Sequence, residues 1–243
     1  MKKTEADLMN LIRSKDPKVL DEVLEHPDIK ENIIVLLLRN PYISSSTIMK
    51  ISENKVWMQS LRIQAEIVNN PKTPQSLSLE LLPNLHSMDL LKTAKNNRIS
   101  PFIRRKAEIT LLEKMRKMPI GEKVNIARRA TIYMLKTIAQ DKNLKVLKAL
   151  AENPVCTEQI ICQAVSREDV PQEFFEYLMQ HFKWKNRYYV KLLIVKSPCS
   201  PIKLVLKLLE DLKKHDLIEL SKDEKQPDVI LKRIREILES RWR

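Results

Sequence analysis

Glycine is almost absent from this chain. Among its 243 residues there is one glycine, Gly121. Tight hairpin turns and phosphate-cradling loops need backbone at positive φ, which glycine adopts most readily. A P-loop and a dinucleotide-binding G-x-G-x-x-G motif are therefore excluded. Sheets joined by tight turns are disfavoured, which leaves helices joined by turns built on proline and asparagine.

Aromatic residues and long apolar segments are also scarce. Aromatics make up 5% of the chain and apolar residues 43%, so we expect a core of Leu, Ile and Val. The longest apolar run, 33–38, is far shorter than the about 20 residues that a membrane-spanning helix needs. No apolar signal segment follows the first residues. These features predict a soluble, cytoplasmic protein without membrane insertion.

Residues that bind metals or act as nucleophiles are few and poorly spaced. The three cysteines, Cys156, Cys162 and Cys199, form no C-x-x-C pair, and no histidine lies three or four residues from another. Zinc sites, calcium loops and nucleophile elbows require spacings that this chain lacks. We therefore expect no metal, no cofactor and no catalytic residue.

Proline-containing dipeptides recur at a regular interval. Asn-Pro or Ser-Pro recurs along the chain, for example at 40–41, 70–71, 100–101, 153–154 and 197–198, and Pro41, Pro71 and Pro101 are 30 residues apart. That interval is the length of a helical hairpin repeat. Asn before proline ends a helix, because the residue before proline is pushed out of the α region.

The chain also contains a longer internal duplication. A shift of 127 residues aligns 57–99 with 184–226, and 13 of these 43 positions are identical. Upstream the shift is 113, so the second half holds an insertion of 14 residues near 169–177. We predict two tandem helical-repeat halves, 1–118 and 119–243, stacked as one continuous solenoid.

The spacing of apolar residues predicts helices between the turns. Leucines follow Thr73-Pro74 at four-residue intervals and form one stripe of a helix. We expect Thr73 to cap this helix with Pro74 at its first position, and Asn70 to close the preceding helix in the left-handed conformation. Similar patterns predict helices at 4–14, 17–25, 29–39, 44–53, 57–69, 74–85, 87–96, 101–117, 121–129, 130–140, 143–152, 157–166, 171–182, 186–196, 201–214, 215–223 and 227–241.

The turn sequences resemble those of HEAT-like α-solenoids and of the related leucine-rich repeat variant proteins. The carriers are Asn-Pro-x-Thr-Pro at 70–74 and Asn-Pro-x-x-Thr at 153–157, each followed by a Leu-rich helix. The resemblance implies an all-α, right-handed α-solenoid of antiparallel helical hairpins. It places the helices before each turn in an outer layer and those after it on an inner surface. It implies a fold and a type of surface rather than an activity.

Two duplicated residue pairs have structural and functional interpretations. Asp89 and Asp216 each begin a Leu-rich helix, where a carboxylate stabilises the first turn. Trp57 and Trp184 begin duplicated helices, and we expect a shared packing position for them. The alternative is a platform on which nucleic-acid bases stack.

Basic clusters form the candidate binding surface. The net charge is +13 at pH 7, which either favours acidic partners such as nucleic acid or only keeps the surface solvated. The cluster at 104–106 begins a predicted helix and has a duplicate at 232–235. Arg128 and Arg129 end another predicted helix. The cluster at 183–187 alternates with aromatic residues. The candidates are Arg104, Arg105, Lys106, Arg128, Arg129, Lys183, Lys185, Arg187, Lys232, Arg233 and Arg235.

Three functions stay open. The favoured one is a non-catalytic scaffold that presents an extended surface to a protein partner. The second is nucleic-acid binding through a basic face of the solenoid. The third, by analogy of fold, is a HEAT-like DNA glycosylase, for which Trp57, Trp184 and Asp89 are the candidate residues. The partner and the oligomeric state are left open.

Overall fold

Helices are the only regular secondary structure of the described residues, which confirms the all-α class. The computed structural model describes residues 5–26, 29–223 and 226–241, and it is 70% helix with no strand in those ranges. Each of the seventeen predicted helices has a counterpart, although Thr4, the predicted start of the first, lies outside the described residues. The helices are α1 (Glu5–Ile12), α2 (Pro17–Val23), α3 (Glu31–Arg39), α4 (Ser45–Glu53), α5 (Leu61–Asn69), α6 (Gln75–Leu81), α7 (Ser87–Lys95), α8 (Pro101–Met115), α9 (Ile120–Arg129), α10 (Ile132–Ile138), α11 (Leu144–Glu152), α12 (Glu158–Val165), α13 (Gln172–Gln180), α14 (Tyr188–Lys196), α15 (Ile202–Leu208), α16 (Lys214–Ser221) and α17 (Asp228–Arg241). Short 3-10 helices lie at Trp57–Gln59, Leu82–Asn84 and Leu209–Asp211.

Two compact units divide the chain, an N-terminal unit (Met1–Lys117) and a C-terminal unit (Met118–Arg243). In the N-terminal unit α1, α3, α5 and α7 pack side by side, while α6 packs on α8. In the C-terminal unit α9, α11 and α13 pack side by side, as do α10, α12 and α14. Within each unit successive helices therefore alternate between two layers. That the two units stack as one continuous solenoid stays a prediction.

Helix α13 is the insertion that distinguishes the two units. By the duplication, α3 corresponds to α11 and α5 to α14. Helix α5 packs on α3, whereas α14 packs on α12, and α13 packs on α11. The extra helix thus takes the place beside α11 that α5 has beside α3. One inserted helix moves the duplicated segment into the other layer.

The core is aliphatic, as predicted, except around the insertion. Most fully buried large side chains are Leu and Ile, and the three largest are Trp184, Phe174 and Phe175. All three lie in α13 or in the turn that follows it. The inserted helix and the turn after it therefore supply the largest buried side chains of the described residues.

Asparagines at helix C-termini join successive repeats. Asn40, Asn70, Asn96 and Asn153 follow α3, α5, α7 and α11, and we call them the asparagine ladder. Each side-chain amide donates to a carbonyl near the end of the preceding helix of its layer, at 2.6–3.1 Å. Each side-chain oxygen accepts the backbone N–H two residues later, at 2.7–3.0 Å. An amide can do both because it carries a donor and an acceptor, and it satisfies carbonyls that the helix leaves unpaired.

The predicted left-handed conformation of Asn70 is wrong. Its φ and ψ are −86° and 127°, and among the described residues no residue has a positive φ. The extended backbone aims the amide of Asn70 at the carbonyl of Leu38, 2.7 Å away. A tertiary hydrogen bond therefore replaces the local turn that the sequence suggested.

The predicted capping role of Thr73 is also wrong. Pro74 precedes α6 as its cap, and the hydroxyl of Thr73 donates instead to the carbonyl of Ile67 at 2.5 Å. Ser200 donates in the same way to Ile194. These hydroxyls complete the end of the previous helix, because its last carbonyls lack helical partners.

Two other helix starts show serine in the capping role. Ser100 caps α8 with Pro101 at the first helical position, as predicted, and its hydroxyl accepts from the N–H of Phe102 at 3.2 Å. The predicted helix 57–69 is interrupted at Ser60, which accepts from the N–H of Ile63 and begins α5. Serine competes with helix continuation because its hydroxyl bonds the backbone locally.

Candidate binding surfaces

The predicted basic residues of the N-terminal unit lie at the start of α8. Arg104 donates from Nη1 to Oδ1 of Asn97 at 3.0 Å, and its Nε is buried without a hydrogen-bond acceptor. Arg105 pairs with Glu108 at 3.1 Å, one turn along the same helix. Lys106 lies 5.7 Å from the ring centroid of Phe102. The three cations therefore face different neighbours and do not form one patch.

Several predicted cations of the C-terminal unit are engaged in intramolecular contacts. Lys183 donates to the carbonyl of Cys156 at 2.8 Å and lies 4.6 Å from the ring centroid of Trp184. Arg129 is exposed at the end of α9. Ion pairs hold Arg128 to Glu152 at 2.9 Å, Arg187 to Glu158 at 3.7 Å, and Arg233 to Glu210 at 2.5 Å and Glu236 at 3.0 Å.

Three of the predicted cations form no ion pair within the described part of the chain. Lys185, Lys232 and Arg235 are exposed and have no acidic partner among the described residues. Lys185 lies in the turn before α14, whereas the other two lie on α17. The eleven candidates are thus spread over four separate places, one in the N-terminal unit and three in the C-terminal unit.

The duplicated tryptophans differ in their surroundings. Trp184 is 1% exposed, and its indole N–H donates to the carbonyl of Ala151 at 3.0 Å. It therefore cannot stack with a ligand base. Trp57 is half-buried in the first 3-10 helix. The exposed aromatic residues beside the buried tryptophan are Phe182 and Tyr189.

The duplicated aspartates occupy first turns, as predicted. Asp89 lies in the first turn of α7 and Asp216 in that of α16. Asp216 is also buried, accepts a hydrogen bond from the hydroxyl of Tyr188, and lies 3.2 Å from Nε2 of His215. Partial burial raises the pKa of Tyr188, and the bond to Asp216 raises it further. The phenol therefore remains a donor that helps to satisfy the buried carboxylate.

A groove opens between the helices of the N-terminal unit. Its volume is about 440 Å3, and α4, α5, α6 and both 3-10 helices of this unit contribute to it. At its base the amide of Gln64 donates to the carbonyl of Met58 at 2.7 Å and accepts from Asn84 at 3.1 Å. This network fixes the base of the groove. The lining residues are Met49, Ser52, Met58, Gln64, Ser76, Leu77, Glu80, Leu81 and Asn84.

A smaller cleft of about 100 Å3 lies along the asparagine ladder of the same unit. Its polar lining includes Arg39, Glu66, Lys72 and Arg98. Partial burial raises the pKa of Glu66, but the hydrogen bond from Arg39 and the charge of Lys92 outweigh it and lower the pKa overall. The carboxylate therefore stays ionised between two cations.

This cleft was not predicted from the sequence, because its residues are far apart along the chain. Arg39 and Glu66, for example, are 27 positions apart. A weak signal was present, since Lys72 and Arg98 each lie two residues after a ladder asparagine. Only the side-by-side packing of α3, α5 and α7 makes these positions neighbours.

Among the described residues, neither the buried thiol of Cys156 nor the potential metal ligands form a further candidate site. Burial raises the pKa of Cys156 to about 12, so this thiol is not ionised at neutral pH. Across the described residues, no group of three or more His, Cys, Asp or Glu side chains is arranged to hold a metal ion. Nor does any helix within the described ranges have the length and apolar character to cross a membrane.

Comparisons with protein-family models, with curated proteins and with solved structures find nothing that matches this chain.

Proposed function

We propose that this protein is a non-catalytic helical-repeat scaffold, a right-handed HEAT-like α-solenoid, which binds a segment of a partner protein. The observation that carries the proposal is the groove of about 440 Å3 in the N-terminal unit. Within each unit the helices alternate between two layers, as helical-repeat scaffolds do. Such stacks form surfaces longer than any one repeat, on which a partner can lie.

The chemistry of the groove suits a side chain or helix face from another protein. Met49, Met58 and Leu77 supply apolar contact, and methionine adapts its shape to different ligands. Polar groups surround them, as around the apolar centre of a protein interface. Glu80 is exposed at the groove and favours a basic residue on the partner.

Pre-organisation supports the same proposal. The bonds of Gln64 to Met58 and Asn84 hold the groove in shape without a ligand. A site that is already formed loses less conformational entropy when a partner binds. The engaged cations of the other candidate surfaces lack this advantage, because ion pairs such as Arg128–Glu152 must be broken before they bind phosphate.

The glycosylase alternative receives no support. Of its two aromatic candidates, Trp184 is buried and hydrogen-bonded within the fold, and Trp57 is half-buried. Asp89 lies in the first turn of α7, where it stabilises the helix terminus. No observation connects these residues to one site.

Site-specific photo-crosslinking tests the scaffold proposal. A photoreactive amino acid replaces Met49, and in a control protein it replaces Lys55, which is exposed but outside the groove lining. In cells we expect a discrete adduct from Met49 alone, and its yield falls several-fold when Glu80→Lys is added. Equal adducts at both positions, or an adduct that Glu80→Lys leaves unchanged, would refute the groove as the binding site.

A further inference from the structure

Four cations follow one edge of the N-terminal unit, along the turns that end α3, α5 and α7. Arg39 is the last residue of α3, whereas Lys72 and Arg98 lie in the two following turns. Arg104 joins the row because its guanidinium bonds Asn97 in the third turn. We call these four residues the cationic edge.

The asparagine ladder fixes the spacing of this edge. The N–H of Lys72 donates to Asn70 at 2.9 Å, and that of Arg98 donates to Asn96 at 3.0 Å. Both side chains therefore leave the backbone from equivalent positions in successive repeats. Neighbouring packed helices are about 8–10 Å apart, which sets the distance between these positions.

The charges of the edge are only partly compensated. Glu66 is the sole carboxylate in the cleft lining, and Arg39 and Lys92 share its Oε1 at 2.5 Å and 3.4 Å. Lys72 and Arg98 have no acceptor for their charged groups among the described residues. The edge thus keeps a net positive charge, and the charged groups of Lys72 and Arg98 are available to a ligand.

We propose that the cationic edge binds the phosphodiester backbone of a nucleic acid strand. Guanidinium groups bind phosphate through two parallel hydrogen bonds, and lysine adds a point charge. A row across three turns matches a ligand whose charge repeats along its length rather than one isolated phosphate. The ligand and the surface are both different from those of the protein-binding groove.

The size and lining of the cleft define the mode of binding. Its volume of about 100 Å3 is well below the about 300–1,000 Å3 of pockets that enclose a drug-sized ligand, so it fits a phosphate group and not a nucleotide. No aromatic residue lines it, so bases have no stacking surface there. Binding is therefore independent of sequence and dominated by backbone charge.

Fluorescence anisotropy with a labelled oligothymidylate tests this proposal on the full chain. We expect binding that weakens with salt, and a loss of affinity of about tenfold or more in the double variant Lys72→Ala/Arg98→Ala. In that variant the slope of log K against log salt should fall by about 0.7 for each lost phosphate contact. The matched control is Lys55→Ala, which removes an exposed positive charge from the same unit and should change little.

Further binding measurements, with another variant and with other ligands, identify the class of ligand. Arg98→Lys keeps the charge but removes the guanidinium fork, and we expect an intermediate affinity. Poly-glutamate of equal charge should bind more weakly than the oligothymidylate, because its carboxylates lack the tetrahedral oxygens of a phosphate. Equal binding by poly-glutamate, equal loss in Lys55→Ala, or no binding at low salt would overturn the proposal. Both exposed side chains lack intramolecular acceptors, so unchanged melting curves should accompany the lost affinity.

Discussion

In the N-terminal unit, Gln64 and Asn84 share a hydrogen bond of 3.1 Å at the base of the groove. In the C-terminal unit, the duplicated positions hold Lys191 and Asp211, which form an ion pair of 2.6 Å. Around these pairs, Met58, Ser76 and Glu80 of the first unit correspond to Lys185, Lys203 and Lys207 of the second. The same helical hairpin therefore carries a neutral and acidic surface in one unit and a lysine-rich surface in the other.

The apolar positions of this hairpin, in contrast, hold the same residues in both units. Leu77 and Leu81 correspond to Leu204 and Leu208, and both Leu81 and Leu208 are buried. A repeat keeps its fold while the buried stripe is kept, so its surface is free to change partner. The N-terminal groove and the C-terminal lysines are thus different surfaces on the same duplicated hairpin.

The largest expected effect tests the asparagine ladder in both units. Asn153→Asp places a carboxylate against the carbonyls of Ala127 and Ala130, and Asn70→Asp places one against Leu38. Both asparagines are buried, so we expect a loss of about 3 kcal/mol or more in the free energy of unfolding, larger at Asn153. Urea denaturation measures it. Asn125→Asp, at an exposed position, is the control, and an equal loss there would contradict the ladder.

A second pair of variants separates the hydrogen bond from the ion pair. Asn84→Ala leaves the buried amide oxygen of Gln64 without its donor and should cost about 1–2 kcal/mol. Asp211→Ala removes a partner whose side chain is 50% exposed and should cost under about 1 kcal/mol. High salt should reduce only the second effect. Identical salt dependence of the two losses would show that both contacts are equally solvated.

Acid should weaken the N-terminal unit through Glu66. Because the folded-state pKa of Glu66 is lowered, its stabilising effect is complete above about pH 4.3 and is lost as pH falls through the folded value. Glu66→Gln should cost about 1 kcal/mol at pH 7 and almost nothing at the lowest pH. Melting temperatures from pH 7 to pH 2 measure the difference. In the C-terminal unit the duplicated position holds Leu193. Hydrogen exchange should therefore place this acid response in the N-terminal unit. A difference in melting temperature between Glu66→Gln and the parent protein that stays constant at every pH would contradict the prediction.

The smallest effect concerns the end of the duplicated helix α14. Ser197 stands where the first unit has Asn70, and its buried hydroxyl has no hydrogen-bond partner among the described residues. Ser197→Ala should therefore leave the melting temperature unchanged or raise it slightly, because a buried unpaired hydroxyl is unfavourable. Ser200→Ala removes a bond to the carbonyl of Ile194 and should cost about 1 kcal/mol. Calorimetry of the two variants distinguishes these outcomes, and a larger loss in Ser197→Ala would mean that its hydroxyl is paired.

The sequence by itself determined the helical class, the positions of the helices and the place of the insertion. Those properties depend on local rules: apolar residues at helical spacing, proline and asparagine at helix ends, and the near absence of glycine. Residue matches between the halves located the inserted segment near 169–177, where the structure has α13. First-turn positions for Asp89 and Asp216 followed from the same local rules.

The tertiary structure alone decided which side chains meet. Local propensity suggested a left-handed Asn70 and a capping Thr73, but carbonyls at other helix ends attract both side chains. Trp184 is buried whereas its counterpart Trp57 is half-buried, a difference that the match between the two halves does not predict. The cationic edge exists because α3, α5 and α7 lie side by side and bring residues about one repeat apart into contact. Contacts between repeats depend on how helices from different parts of the chain pack together. The local sequence pattern of a single repeat does not show this packing.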